Sequence, residues 1–147
     1  MTAAIIIAVI YISCRPSYSS PPPTPASTIQ GKWNILTVTT LAYDAGGQPW
    51  AGGSNIYTPP PGTFFEFDAN GRWTESLSPD SLPFVTQRGT YTVASSTQFT
   101  YSDSLGHHTD CLIDTLTTSL FVFNHQKNTL FNGVTPGTLK YVFRMTK

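Results

Sequence analysis

The chain has 147 residues, 8 Lys plus Arg against 8 Asp plus Glu, and a formal charge of zero. That length allows one domain, and balanced, scattered charge gives no electrostatic case for nucleic acid. Only 11% of residues are charged while 13% are aromatic, which excludes an acid-rich disordered chain. Ser, Thr, Gly and Pro fill the positions that Lys and Glu usually take, a mix that disfavours helix and favours strands joined by turns.

Residues 3–12 are an unbroken apolar run of ten. A membrane-spanning helix needs about 20, so a run this short near a start Met reads as the apolar core of a secretory signal. Only Met1 and Thr2 precede it. Either the signal is atypical in having no basic segment or the natural start lies upstream. The run ends in Ile12-Ser13-Cys14, which resembles the lipobox of bacterial lipoproteins; Tyr11 stands where Leu is usual. That resemblance implies a signal peptide over 1–13, Cys14 as the lipidated first residue of the mature chain, and an address in the bacterial cell envelope. The protein would be lipid-anchored at the outer membrane, on its periplasmic or surface side. The alternative is a plain signal peptide with an incidental Cys. Residues 14–27 carry Pro21, Pro22, Pro23 and Pro25, which favour an extended, stiff tether over a packed core. With Cys14 lipidated, Cys111 has no intrachain partner and is expected to be a small buried apolar residue.

From Thr28 the apolar period is close to two. Residues 31–41 form a first expected strand, with Trp33, Ile35 and Thr37 on one face. The connection 42–61 follows, too long for a hairpin and of the length that lids and binding loops have. Gly46, Gly47, Gly52 and Gly53 loosen it, and Trp50, Ile56 and Tyr57 are expected to fold down over the interior and gate it. The competing arrangement packs these three side chains on the outer wall or turns them toward a protein partner. Strands 62–68 and 72–77 come next, carrying Phe65, Phe67 and Trp73. Asn70-Gly71 joins them as a two-residue hairpin turn in which both residues take positive φ. Residues 87–93 carry Tyr91 and Val93, 98–102 carry Phe99 and Tyr101, and 109–114 carry Cys111 and Ile113. Residues 119–124 are apolar on both faces, and 139–146 close the chain with Tyr141, Phe143 and Met145 on one face. Eight antiparallel strands without a helix make a sandwich or a closed barrel, and closure removes the edges that invite aggregation.

Gly31-Lys32-Trp33 matches the Gly-x-Trp signature of lipocalins. After it come a long first connection, Phe65-Glu66-Phe67-Asp68 leading into Asn70-Gly71, Gly89-Thr90-Tyr91-Thr92-Val93, Ile113-Asp114-Thr115-Leu116 and Tyr141-Val142-Phe143-Arg144. The order of these pieces resembles the lipocalin-like domains of bacterial lipoproteins over residues 29–147. The resemblance implies an eight-stranded antiparallel up-and-down barrel over 28–147, with Trp33 at its closed end and Arg144 lying across the indole. It also places the first loop over the open end. No C-terminal helix follows the last strand, a departure from the larger lipocalins that bears on the size of the cavity.

An eight-stranded barrel is filled by its own side chains or holds one small ligand. Phe65, Phe67, Trp73, Tyr91, Phe99, Tyr101, Tyr141 and Phe143 point inward by parity, with Trp50 and Tyr57 above them. They line a pocket for a small hydrophobic molecule or pack the core. Glu75 shares the face of Trp73 and Leu77 and would be a buried polar handle if it is inward; such a residue more often lies at a strand end in water. His107 and His108 lie near Asp103, Asp110 and Cys111, but adjacent strand residues face opposite ways, and Leu105-Gly106 suggests a solvated turn. No nucleophile elbow, phosphate-binding Gly-rich loop or His-Glu-x-x-His motif occurs. The chain is therefore expected not to be an enzyme and to need neither cofactor nor metal. Asp80-Ser81-Leu82, Asp103-Ser104-Leu105 and Asp114-Thr115-Leu116 resemble a bacterial O-glycosylation pattern, and ordinary turn composition explains them equally well. Two functions follow. One is a tethered module for a small hydrophobic ligand; the other is a structural or protein-interaction lipoprotein with a filled barrel. In both, membrane contact runs through the lipid anchor alone.

Overall fold

The computed structural model describes residues 28–77 and 85–147. The signal-like segment 1–13, Cys14, the tether 14–27 and Asp80-Ser81-Leu82 lie outside the described residues. The strands are β1 Gly31–Asp44, β2 Asn55–Tyr57, β3 Phe64–Phe67, β4 Arg72–Leu77 and β5 Val85–Ser95, then β6 Gln98–Asp103, β7 His108–Leu116, β8 Leu120–Phe131 and β9 Thr135–Thr146. Neighbours in sequence are neighbours in space from β3 to β9, and β9 returns to pair with β1, so the sheet closes. Short β2 and β3 share one edge of β1, at Val38–Thr40 and Gly31–Asn34. The wall is therefore eight strands round, an antiparallel up-and-down barrel of the lipocalin-like kind.

Three of its turns repeat one device. In Asp44-Ala45-Gly46-Gly47, Asp68-Ala69-Asn70-Gly71 and Asp103-Ser104-Leu105-Gly106 the backbone N–H of the Gly donates to the Asp carbonyl. The Asp carboxylate accepts from the N–H groups two and four residues on, at 2.8–3.0 Å. The fourth residue has positive φ in each, which glycine adopts without strain. This corrects the two-residue turn expected at Asn70-Gly71. The loop has three residues, and only Gly71 takes positive φ. The Arg72 backbone N–H foremost holds the Asp68 carboxyl below the usual carboxylate range, and the His107 side chain, then the turn's backbone N–H groups, do so for Asp103.

Bulges reset the inward face. The β1–β9 register shifts between Ile35 and Thr37, so Trp33 and Ile35 face inward, Thr37 sits opposite Arg144 on the outer wall, and Val38 takes the inward place opposite Phe143. Thr37 does not continue the face of Trp33. Gly89 lets β5 and β6 approach: a Cβ there would lie 1.7 Å from the Ser102 carbonyl oxygen and 2.6 Å from the Trp73 indole nitrogen. That nitrogen instead donates to the Ser102 carbonyl at 2.8 Å.

The chain enters and leaves at the same, closed end. There Ile29 plugs the barrel, and Trp33 Nε1 donates to its carbonyl at 2.7 Å. The basic residue over the indole is Lys147, whose Nζ lies 4.5 Å from the ring. Arg144, expected in that role, is exposed on the outer face, because its parity in β9 is opposite to that of Phe143 and Met145. Gly31 makes room for this contact: a Cβ on it would meet Lys147 Cε at 3.3 Å.

Candidate functional site

Aromatic rings fill the lower and middle barrel across its full width. Phe65 on β3 meets Trp73 on β4, Phe123 on β8 and Phe143 on β9, with ring centroids 5.5–6.1 Å apart. Phe67 meets Phe99 at 5.7 Å and Phe121 at 6.1 Å, and Trp33 meets Phe121 at 5.3 Å. Edge-to-face and tilted pairs at these distances are packed core. Of the ten pocket residues expected from the sequence, Phe65, Phe67, Trp73, Phe99 and Phe143 are thus buried ring against ring. Tyr91 sits near the closed end, where its hydroxyl donates to the Asp68 carbonyl at 2.7 Å.

Tyr101 and Tyr141 lie higher, toward the open end, and are joined there by a residue the sequence did not single out. His125 on β8 stacks on Tyr141 at 5.0 Å and on Phe143 at 5.8 Å, and meets Tyr101 edge-on at 6.4 Å. The alternation Phe121, Phe123, His125 carried the signal, but the apolar pattern stops at Asn124, where the first of several polar residues begins. Glu75 on β4 belongs to the same inward face. It pairs with Phe65 on β3 and with Gln87 on β5, and only 7% of it is exposed. Among the described residues no cation and no hydrogen-bond donor reaches its carboxylate; the ion pair that occurs there is His107 with Asp103 at 2.8 Å, on an exposed turn.

Low-dielectric surroundings shift Glu75, Tyr101 and His125. Burial alone pushes the Glu75 carboxyl up to about 7. It pushes the Tyr101 phenol far above its usual range, helped by the charges of Cys111 and Glu75. His125 is lowered, by burial first and then by Lys127, so the imidazole is held neutral. Cys111 is buried and its thiol is likewise raised by burial, the opposite of an activated nucleophile.

The strand pairing beside these groups is incomplete. β7 and β8 pair from Leu112 to Leu116 against Phe121 to Asn124, whereas β8 continues to Phe131 paired with β9 alone. Above Cys111 and His125 the two strands share no ladder hydrogen bonds.

The long first connection is partly structured. Its β2 pairs with β1, placing Tyr57 opposite inward Val38 and Ile56 opposite outward Thr39. Ile56 is 68% exposed and does not fold over the interior, which corrects that expectation. Trp50 does bend inward: its N–H donates to the Ala42 carbonyl at 2.8 Å, and its ring rests on Phe131 at 4.7 Å. Gly137 makes room for this, since a Cβ on it would lie 2.2 Å from the Phe131 ring. The Trp50 indole thus rests against Phe131 of the β8–β9–β1 extension.

His107 and His108 hold different partners, Asp103 and the Ser102 hydroxyl, both exposed. Four hollows lie elsewhere among the described residues, two of them small, of about 340 and 380 Å³, beside Thr100 and beside Arg72. One of about 520 Å³ lies at the closed end among Ile29, Tyr91, Val93, Ile113 and Leu116. An open one of about 1000 Å³ lies on the outer face of the extension, against Tyr43, Gln126, Asn128 and Lys140.

No protein-family model matches the sequence, and no curated protein is similar to it. The function must come from the geometry.

Proposed function

We propose that the chain is an exported, lipid-anchored lipocalin-like protein that binds a small hydrophobic ligand at the open end of its barrel. The anchoring half rests on the apolar run ending in Ser13-Cys14 and on the proline-rich stretch that separates it from Thr28. The binding half rests on one observation above all. Glu75 is only 7% exposed beside half-buried aromatic rings at the open end, and among the described residues no protein group pairs with its carboxylate, which keeps only a little contact with solvent. Burying a carboxylate without a partner costs several kcal/mol, which a core of rings alone does not require. A ligand lying on Tyr101, His125 and Tyr141 would have an apolar floor and one polar handle, the usual makeup of a small-molecule site. It would enter through the mouth. The barrel below is full, so the ligand would sit near the rim.

Titration with a neutral solvatochromic dye tests the binding half. Thr40 faces inward opposite Tyr141, so Thr40→Trp fills the mouth, whereas Val93→Trp fills the closed-end hollow. Loss of dye binding in the first variant and retention in the second is expected. The reverse would move the ligand to the closed end. No dye binding by the wild type would favour the filled-barrel interaction protein, which the ring packing also suits. Metabolic labelling with a fatty-acid analogue tests the anchor: label lost in Cys14→Ala is expected, and equal labelling would refute it.

A further inference from the structure

We propose that the ligand of the open end is a cation, an organic ammonium whose apolar body lies on the rings of Tyr101, His125 and Tyr141 and whose nitrogen meets the Glu75 carboxylate. This rests on the open end being the binding site and adds the chemical class. Three features of the site select the charge. First, Glu75, an acidic group facing this part of the interior, is only 7% exposed, and among the described residues no Lys, Arg or protonated His pairs with it. Lys127 follows His125 on the inward row of β8 but is exposed to solvent and reaches no carboxylate. Second, the surrounding groups are ring faces, and the negative face of an aromatic ring attracts a cation and repels an anion. His125 adds to this set without opposing it, because burial holds its imidazole neutral. Third, a neutral ligand would cover the carboxylate and remove its remaining water without replacing it, while an anion would add like-charge repulsion to that loss. An ammonium supplies both the counter-charge and the donors that the carboxylate lacks.

Three probes with one apolar body separate the classes: 2-naphthylmethylamine, 2-naphthalenemethanol and 2-naphthoate. Each is titrated calorimetrically into the folded domain at about pH 8, where the carboxyl is ionised. The amine is expected to bind about tenfold or more tighter than the alcohol, the increment of one charge-assisted hydrogen bond, with the carboxylate probe weakest. Glu75→Gln is expected to bring the amine down to the affinity of the alcohol and leave the alcohol unchanged. Equal binding of amine and alcohol by the wild type overturns the cationic class while leaving the binding site in place. An amine preference that survives Glu75→Gln also overturns it, because the charge would then be read elsewhere. Failure of all three probes overturns the binding site and the inference together. The comparison of the three probes on the wild type decides the class even if the variant does not fold.

Discussion

Glu75→Gln should change how stability depends on pH, and the sign follows from where the carboxyl sits. In the unfolded chain the group titrates at about its ordinary value of 4.5, and in the barrel burial raises it to about 7. Between these two values the unfolded chain has released a proton that the native protein still holds. Stability from this group is therefore full at acid pH and falls as pH rises through that window. Converted at 1.36 kcal/mol per pKa unit, the loss is about 3 kcal/mol. Other groups act in the same range. His125, lowered by burial, works in the opposite sense, its contribution lost as pH falls, and Asp68 and Asp103 do the same at lower pH. All of these are present in the variant as well, so the difference between the two proteins isolates Glu75. Urea unfolding midpoints measured from about pH 4 to pH 8 are the assay. The two proteins should match in acid, where a protonated carboxyl and an amide are alike. The variant should then become the more stable by about 3 kcal/mol near pH 8. Parallel curves across the range would mean that Glu75 reaches water or a partner in solution, and the buried-carboxylate reasoning would be wrong.

Trp33→Ala should cost about 3–5 kcal/mol, since it removes a fully buried indole and strands the Ile29 carbonyl it serves; an unchanged melting temperature would contradict that. Lys147→Ala should cost about 0.5–1 kcal/mol through the lost cation–ring contact, and Arg144→Ala should stay within about 0.5 kcal/mol. The opposite ranking in thermal unfolding would restore Arg144 to the closed end. Gly89→Ala should cost about 2–4 kcal/mol, because its methyl group has to displace the Ser102 carbonyl and the Trp73 indole. A variant as stable as the wild type would show that β5 and β6 separate more easily than their packing implies.

Much of this architecture is written in local pattern. The alternation of Phe65 with Phe67, of Trp73 with Glu75 and of Phe99 with Tyr101 marks inward and outward faces without help from the rest of the chain, because side chains on a strand repeat every two residues. The face that Glu75 shares with Trp73 was legible for that reason, while its burial, against the strand-end placement usual for a carboxylate, was not. The Asp-x-x-Gly turns are local too, since each closes within five residues and draws its hydrogen bonds from its own backbone. Other features depend on a partner distant in sequence. The bulge after Ile35 exists only in the pairing of β1 with β9, and it exchanges Thr37 for Val38 on the inner face. Strand β2 is three residues of unremarkable composition made a strand by the edge of β1. The upper halves of β8 and β9 carry polar residues such as Gln126, Lys127 and Asn128 because they extend past the packed core, so apolar periodicity ends before the strands do. Lys147 displaces Arg144 over Trp33 because the strand parity sends Arg144 outward and Gly31 opens a place for the last side chain. Local sequence thus determined which residues face inward where a strand carries no bulge, and the hydrogen bonding of the three Asp-x-x-Gly turns. Only tertiary closure decided that the rings would interlock across the barrel, bringing Glu75 within electrostatic reach of Tyr101 and setting His125 against Tyr101 and Tyr141, because the distance between facing walls is set by the strand register of the whole barrel and not by any one strand.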